Sequence, residues 1–214
     1  MDRDAILNML RMQHRMNTRV HENWIAQKFE WYRATWIECG ELMDHVGYKW
    51  WKKQTPDMEQ VRLEVVDIWH FGMSALFEPG IDIEVLADHI HADFANALPS
   101  QPADQSAVTR IQRATESLAE DALASRGFSV PLFGALMAAC ELSPEELYRH
   151  YVGKNVLNFF RQDHGYQDGT YVKEWHGRED NEHLSELLDT LSPSAADFPD
   201  QVYEALSERY RDVQ

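Results

Sequence analysis

Apolar residues recur at three- and four-residue spacing through most windows of this chain, and nowhere do Val, Ile and Thr alternate with polar residues for long. That period belongs to one face of an α-helix, whereas a half-buried strand alternates at every second residue. The fold class expected is therefore all-α, a multi-helix bundle. The spacing predicts helices over about 4–16, 21–52, 57–78, 83–97, 104–126, 130–140, 144–161, 181–191 and 199–212. Local punctuation agrees with several of the breaks. Thr55-Pro56-Asp57 ends one helix and caps the next, Glu78-Pro79-Gly80-Ile81-Asp82 is a turn, and Ser143-Pro144-Glu145-Glu146 reads as an N-cap followed by proline at the first helical position. Pro99-Ser100-Gln101-Pro102 is expected to be a surface linker. Residues 161–181 carry three glycines, several aromatics and both charge signs with no period, the mark of a functional loop.

At 214 residues one catalytic-size domain over 1–214 is the expectation, with a small helical subregion at about 99–140. A hydrophobic fraction of 44% supports a core, which excludes wholesale disorder. The net charge of −16 argues against broad binding to a nucleic-acid backbone, which needs clustered cations. No apolar run approaches the roughly 20 residues of a membrane span, and no secretory h-region is seen, so a soluble, cytoplasmic protein is expected. Cys39 and Cys140 alone make neither a disulfide framework nor a multi-cysteine zinc site.

Two segments place acids where a helix expects core. Glu38 and Glu41 lie three apart in WIECGELMDHVGYKWWKK, and Glu64 and Asp67 lie three apart in VRLEVVDIWHF. Residues at i and i+3 share a helix face, so each pair projects two carboxylates to one place, and adjacent helices would bring all four together. Oxygen-only clusters suit hard divalent cations, Mg²⁺ or Mn²⁺. Other acid pairs, such as Glu186/Asp189, sit on polar stretches and read as solvated faces. Glu64 and Asp67 are embedded among Leu63, Val65, Val66, Ile68 and Trp69, where a carboxylate needs either a metal or a cationic side chain. His70, three after Asp67, faces the same side, though a lone histidine is more often a structural hydrogen-bonder. Trp50-Trp51, flanked by Lys49, Lys52 and Lys53, fits a core anchor with a solvated edge or a stacking wall for a base beside phosphate contacts.

A third constellation is cationic. Lys154, Asn158 and Arg161 fall on one helical stripe, and Lys173 follows in the glycine-bearing segment with Tyr166. By itself the stripe reads as interhelical salt bridges. Beside a metal cluster it suits an anionic ligand with a polar sugar. Neither a Walker A nor a dinucleotide glycine fingerprint is present.

Assembled, Glu38-Cys-Gly-Glu41, the KWWK run, Glu64-Val-Val-Asp67-Ile-Trp-His70-Phe71 and GKNVLNFFRQDHGYQDGTYVKEWHGREDN resemble the dimeric all-α dUTPases of the all-α NTP pyrophosphatase superfamily. The E-x-x-E and E-x-x-D pairs alone also fit MazG-like or dCTP-directed relatives, whereas KWW and FRQDHGY point to the deoxyuridine branch. The matching segments span most of 13–181; 82–140 and the C-terminal tail carry no recognised motif. The resemblance implies hydrolysis of dUTP, and of dUDP, to dUMP. It implies Glu38, Glu41, Glu64 and Asp67 as ligands of more than one Mg²⁺, with Glu38 also activating water. It assigns Lys154, Arg161 and Lys173 to phosphate, Asn158 and Tyr166 to deoxyribose, and Gln13, Asn17, Trp50 and His70 to the base. Where the family shows Leu-Gln…Leu-Asn, this chain has Met12-Gln13…Met16-Asn17, a volume-conserving departure. A homodimer is implied too, and burial of an apolar face in a partner would account for seven tryptophans. The competing expectations are a relative acting on another nucleotide such as dCTP, and a non-catalytic acidic helical protein that binds a basic partner.

Overall fold

The computed structural model describes residues 1–96, 105–193, 195, 197–211 and 213. Ten helices and one two-stranded hairpin make up its regular structure among these residues. The Pro99–Pro102 linker lies outside them. Contacts divide the chain into two compact units, Met1–Leu147 and Tyr148–Gln214.

The first unit contains α1 (Arg3–Val20), α2 (Trp24–Gln27), α3 (Trp31–Val46), α4 (Met58–Leu76), α5 (Ile83–Ala95), α6 (Ala107–Ser125) and α7 (Val130–Ala139), and α8 (Pro144–Asp163) begins in it. Side-chain caps start these helices where turn residues stand. Asp2, Asp57, Asp82, Ser106 and Ser129 each accept a hydrogen bond from a backbone N–H two or three residues on. α3 packs on α4 and α6, α6 on α7, and α1 on α5. Along α1–α5, Arg3 pairs with Glu84 and Asp88, and Arg11 with Glu84 at 2.7 Å. The core centres on Trp69, whose ring stacks on Phe133 at 4.8 Å and 13° and is flanked by Phe94 and Phe128. Gly72, one turn further along α4, is where Phe128 crosses the helix: a Cβ there would lie 2.3 Å from its ring.

The helix expected over 21–52 is three pieces. Lys28 adopts left-handed backbone (φ 51°) and ends α2 after one turn. The bend is held by aromatics, with buried Trp24 edge-on to Trp31 (6.0 Å) and Phe77 (5.1 Å). α3 then stops at Gly47 (φ 87°), and the KWWK run is loop, not helix. That loop is tied down at three points. The Lys49 N–H donates to Gln54 Oε1 at 2.7 Å, the Asp57 N–H to the His45 carbonyl at 3.0 Å, and Gln112 Nε2 of α6 to the Gly47 carbonyl at 2.7 Å.

The second unit holds the rest of α8, strands β1 (Glu174–Trp175) and β2 (Arg178–Glu179), α9 (Asp180–Leu188) and α10 (Phe198–Tyr210). The aperiodic segment is thus partly regular. α8 runs on to Asp163, and an antiparallel hairpin pairs Glu174 with Glu179 and Trp175 with Arg178. His176 (φ 51°) and Gly177 (φ 81°) form its two-residue turn, both left-handed as a tight right-twisted hairpin requires. Buried Trp175 anchors it, stacked on His183 at 5.2 Å with Nε1–H donating to the Val172 carbonyl at 2.8 Å. The C-terminal helix contributes Tyr210, whose ring stacks on Tyr171 at 5.4 Å and whose hydroxyl accepts from the Val172 N–H at 3.1 Å.

Candidate metal and nucleotide site

α3 turns Thr35, Cys39, Leu42 and Val46 into the core, which leaves Glu38 and Glu41 beside the seam with α4. On α4, Glu64 is buried within the same seam. Ligand oxygens of Glu38, Glu41 and Glu64 all lie within 4.8 Å of one another. Like charges so close resist common ionisation. Burial first, then the charges of Asp67, Glu41 and Glu64, push the Glu38 carboxyl up to about 8, aided by a hydrogen bond to Glu64. The same interaction puts Asp67, one turn beyond Glu64, in the field of the cluster. His45, one turn beyond Glu41, brings Nε2 to 3.4 Å from Glu64 Oε1. It lies seven residues after Glu38, so the 3.6-residue period places it on the acid face, a signal that attention to carboxylates alone passes over.

This donor set fits a hard divalent cation. Two oxygens on one Mg²⁺, each at roughly 2.0–2.1 Å, stand no more than about 4.2 Å apart, close to the spread observed. A cation at that point would also offset the repulsion that holds Glu38 protonated near neutrality.

A second cluster joins α1 to α4. Gln13 Nε2 donates to Asn17 Oδ1 (3.1 Å) and to Ser74 Oγ (3.0 Å), and Asn17 Nδ2 donates to Ser74 Oγ (2.9 Å). Ser74 donates to the His70 carbonyl (2.9 Å), and His70 Nδ1 meets Gln13 Oε1 at 2.9 Å. All four side chains are buried. Three of the residues assigned to the base by resemblance therefore share one polar network, whose hub, Ser74, had no sequence signal beyond its place one turn after His70. Trp50 is not part of that network. It stands 90% exposed on the 47–57 loop, edge-on to Trp51 at 5.6 Å. It lines a cavity of 360 Å³ with Tyr48, Lys49, Lys52 and, from α6, Val108 and Gln112.

In the second unit, Arg161 lies beside Asn158, its neighbour on the helical stripe, and beside Tyr166, which follows the end of α8. Its Nη1 donates to Asn158 Oδ1 at 3.2 Å, and its guanidinium carbon is 6.0 Å from the Tyr166 ring centre. The fork itself is bidentate on Asp180, with Nε and Nη2 each at 2.8 Å. Tyr171 donates to the same carboxylate at 2.8 Å. Lys173 pairs with Glu179 at 2.9 Å, and Lys154 lies one turn before Asn158 on α8. Asp180 is fully buried, although its sequence context, Arg-Glu-Asp-Asn, reads as surface.

Comparison with curated proteins found no match. Comparison with family models found the family described as dUTPase, matching residues 5–166. The matched stretch includes both carboxylate pairs, the Gln13–Asn17–His70–Ser74 network, the Lys154–Asn158–Arg161 stripe and Tyr166, while Lys173 and Asp180 follow it. It covers well over half of a chain whose regular structure, among the described residues, is helix apart from two two-residue strands, so the protein belongs to the dUTPase family and is an all-α enzyme that hydrolyses dUTP.

Proposed function

We propose that this enzyme converts dUTP, and dUDP, to dUMP in an Mg²⁺-dependent reaction at the four-acid seam of α3 and α4, the whole chain acting as one catalytic domain. The observation that carries the metal site is the convergence of Glu38, Glu41 and Glu64 within 4.8 Å from two helices, with Asp67 in their field. These four residues would hold Mg²⁺, more than one ion per site, or Mn²⁺ in its place. Bound there, the metal supplies positive charge to the phosphate oxygens as negative charge develops. Glu38 takes the proton of the attacking water as its oxygen bonds to phosphorus. The bond to the leaving pyrophosphate, or to phosphate in dUDP, then breaks. With the metal's charge offsetting the repulsion that favours the neutral acid, the Glu38 carboxylate would be available to accept that proton.

Gln13, Asn17 and His70 are assigned to the uracil edge, and Trp50 offers an exposed ring for stacking. In the second unit Lys154, Arg161 and Lys173 are assigned to phosphate, with Asn158 and Tyr166 at the deoxyribose. That assignment rests on the family resemblance. With two donors committed to Asp180, Arg161 has a reduced share left for an anion. A homodimer completes the proposal.

The test is hydrolysis of each dNTP, dUDP and UTP with Mg²⁺ or Mn²⁺, with and without EDTA, following monophosphate, pyrophosphate and phosphate. Strong preference for dUTP and dUDP over the other nucleotides, abolished by EDTA, is the expected result. Turnover spread over several bases would overturn the uracil assignments. Full activity in EDTA would overturn the metal site.

A further inference from the structure

We propose that His45 is a further metal ligand, a nitrogen donor at one end of the acid row that raises the affinity there for Mn²⁺ relative to Mg²⁺. The inference rests on the reading of the α3–α4 seam as a metal site, and adds a donor to the four carboxylates assigned to it. Those four offer oxygen alone, and an all-oxygen site takes Mg²⁺ and Mn²⁺ by the same hard chemistry. An imidazole nitrogen is a softer donor, bound more readily by a transition-metal ion than by Mg²⁺. A histidine that reaches the ion therefore changes which metal the site prefers.

The two helices bring His45 to that point. The Asp57 N–H donates to the His45 carbonyl at 3.0 Å, so the last turn of α3 lies against the start of α4. α3 packs along α4 beyond that junction, and the pair therefore runs antiparallel. The functional side chains form a row along the seam. His45 stands at the junction, Glu41 and Glu38 follow about one and two turns back along α3, and Glu64 and Asp67 come about two and three turns along α4. Glu38 feels the charge of Asp67 more than that of Glu41 or Glu64, which sets Asp67 at the Glu38 end, away from His45. Side chains lean toward the N-terminus of their own helix, so Glu64 leans toward the junction and His45 leans in from it. The outcome is Nε2 of His45 at 3.4 Å from Glu64 Oε1. Adjacent donors on one ion, with bonds of about 2.1 Å, stand roughly 3.0–3.4 Å apart between octahedral and tetrahedral arrangements. That spacing suits a shared ion. The Glu64 side chain is 10% exposed and that of His45 35%, so the ion would meet a held carboxylate on one side and solvent on the other. Its remaining positions are then open to water or to phosphate oxygens.

The experiment uses the metal ions alone as probes, on the full-length wild type, His45→Gln and His45→Ala. Mn²⁺ binding is followed by loss of the free-ion EPR signal, nitrogen ligation by electron spin-echo envelope modulation, and Mg²⁺ binding by calorimetry. The wild type saturated with Mn²⁺ is expected to show ¹⁴N coupling, which ¹⁵N-histidine labelling converts to the ¹⁵N pattern. Both variants should lose that coupling and keep the far-UV circular dichroism of the wild type. Their affinity for Mn²⁺ should fall by about 10-fold or more, with a smaller change for Mg²⁺. The wild-type spectrum is decisive even where a substitution impairs folding. Bound Mn²⁺ without nitrogen coupling, or coupling undiminished in both variants, would overturn the ligand role and leave His45 as an ion-pair partner of Glu64. An equal loss of Mg²⁺ affinity would overturn the metal preference. A wild-type protein that binds neither ion would overturn the metal site itself.

Discussion

Glu38 sits where three effects act on one carboxyl: burial, neighbouring negative charge, and a hydrogen bond to Glu64 that needs a proton between them. All three favour the neutral acid, and Glu38→Gln copies that neutral form in shape and hydrogen bonding while removing the capacity to accept a proton. Hydrolysis of dUTP should therefore fall by about 10²–10⁴-fold or more, the usual worth of a positioned base, while the metal-free protein melts no lower than wild type. Turnover assays beside thermal denaturation check both halves, and retained turnover would remove Glu38 from the base role. Asp180 has no exposed surface, and its carboxylate takes the bidentate fork of Arg161 and the hydroxyl of Tyr171. Asp180→Ala would strand a guanidinium that is itself only 12% exposed. Breaking such a pair from one side costs about 3–5 kcal/mol, so the urea midpoint of the Tyr148–Gln214 unit should drop sharply. A shift of a few tenths of a kcal/mol would mean that Arg161 is satisfied elsewhere.

At the scale of elements, the second unit gathers its hairpin and last two helices on one exposed carboxylate. Glu186 of α9 accepts from Arg178 of β2 and from Arg209 of α10 at 2.7 Å, and these bonds pull its proton affinity down to about 2. A depressed carboxylate stabilises the fold above its unfolded value and loses that contribution as pH falls through the folded one. Stability of this unit should therefore decline between pH 4.5 and 2, and Glu186→Gln should flatten that part of the profile, followed by tryptophan fluorescence in urea at each pH. Helices were visible in the sequence where a capping Asp or Ser preceded an apolar period, as at Asp57 and Ser143. Both carboxylate pairs were visible too, because i and i+3 on a helix require no tertiary information. What escaped is what depends on other elements. The reversal at Lys28 is stabilised by Trp24, Trp31 and Phe77 from separate segments, the two-residue strands are too short for any period, and Tyr210 reaches Val172 across 38 residues of chain. Asp180 and Ser74 were invisible for the same reason: their neighbours, not their sequence context, make them important.

For the whole molecule, charge and exposed apolar area pull in opposite directions. A net charge of −16 on each chain opposes self-association at low ionic strength. Against it, α3 exposes Trp36 and Ile37 on the helix that carries Glu38 and Glu41, Phe29 is exposed just before it, and Gly40, one turn after Trp36, has open space where a side chain would stand. An aromatic beside a bare stretch of backbone offers a partner helix both an anchor and close approach. If α3 is the self-association face, sedimentation should give about twice 24.9 kDa at micromolar concentration. Dimerisation should tighten as salt rises from low concentration to physiological strength, where the Debye length falls to about 8 Å. Trp36→Glu places a charge at the anchor and adds to the repulsion, so it should yield a folded monomer with unchanged far-UV circular dichroism. A wild-type monomer, or a Trp36→Glu variant that dimerises as before, would place the seven tryptophans in the service of the core and loops alone.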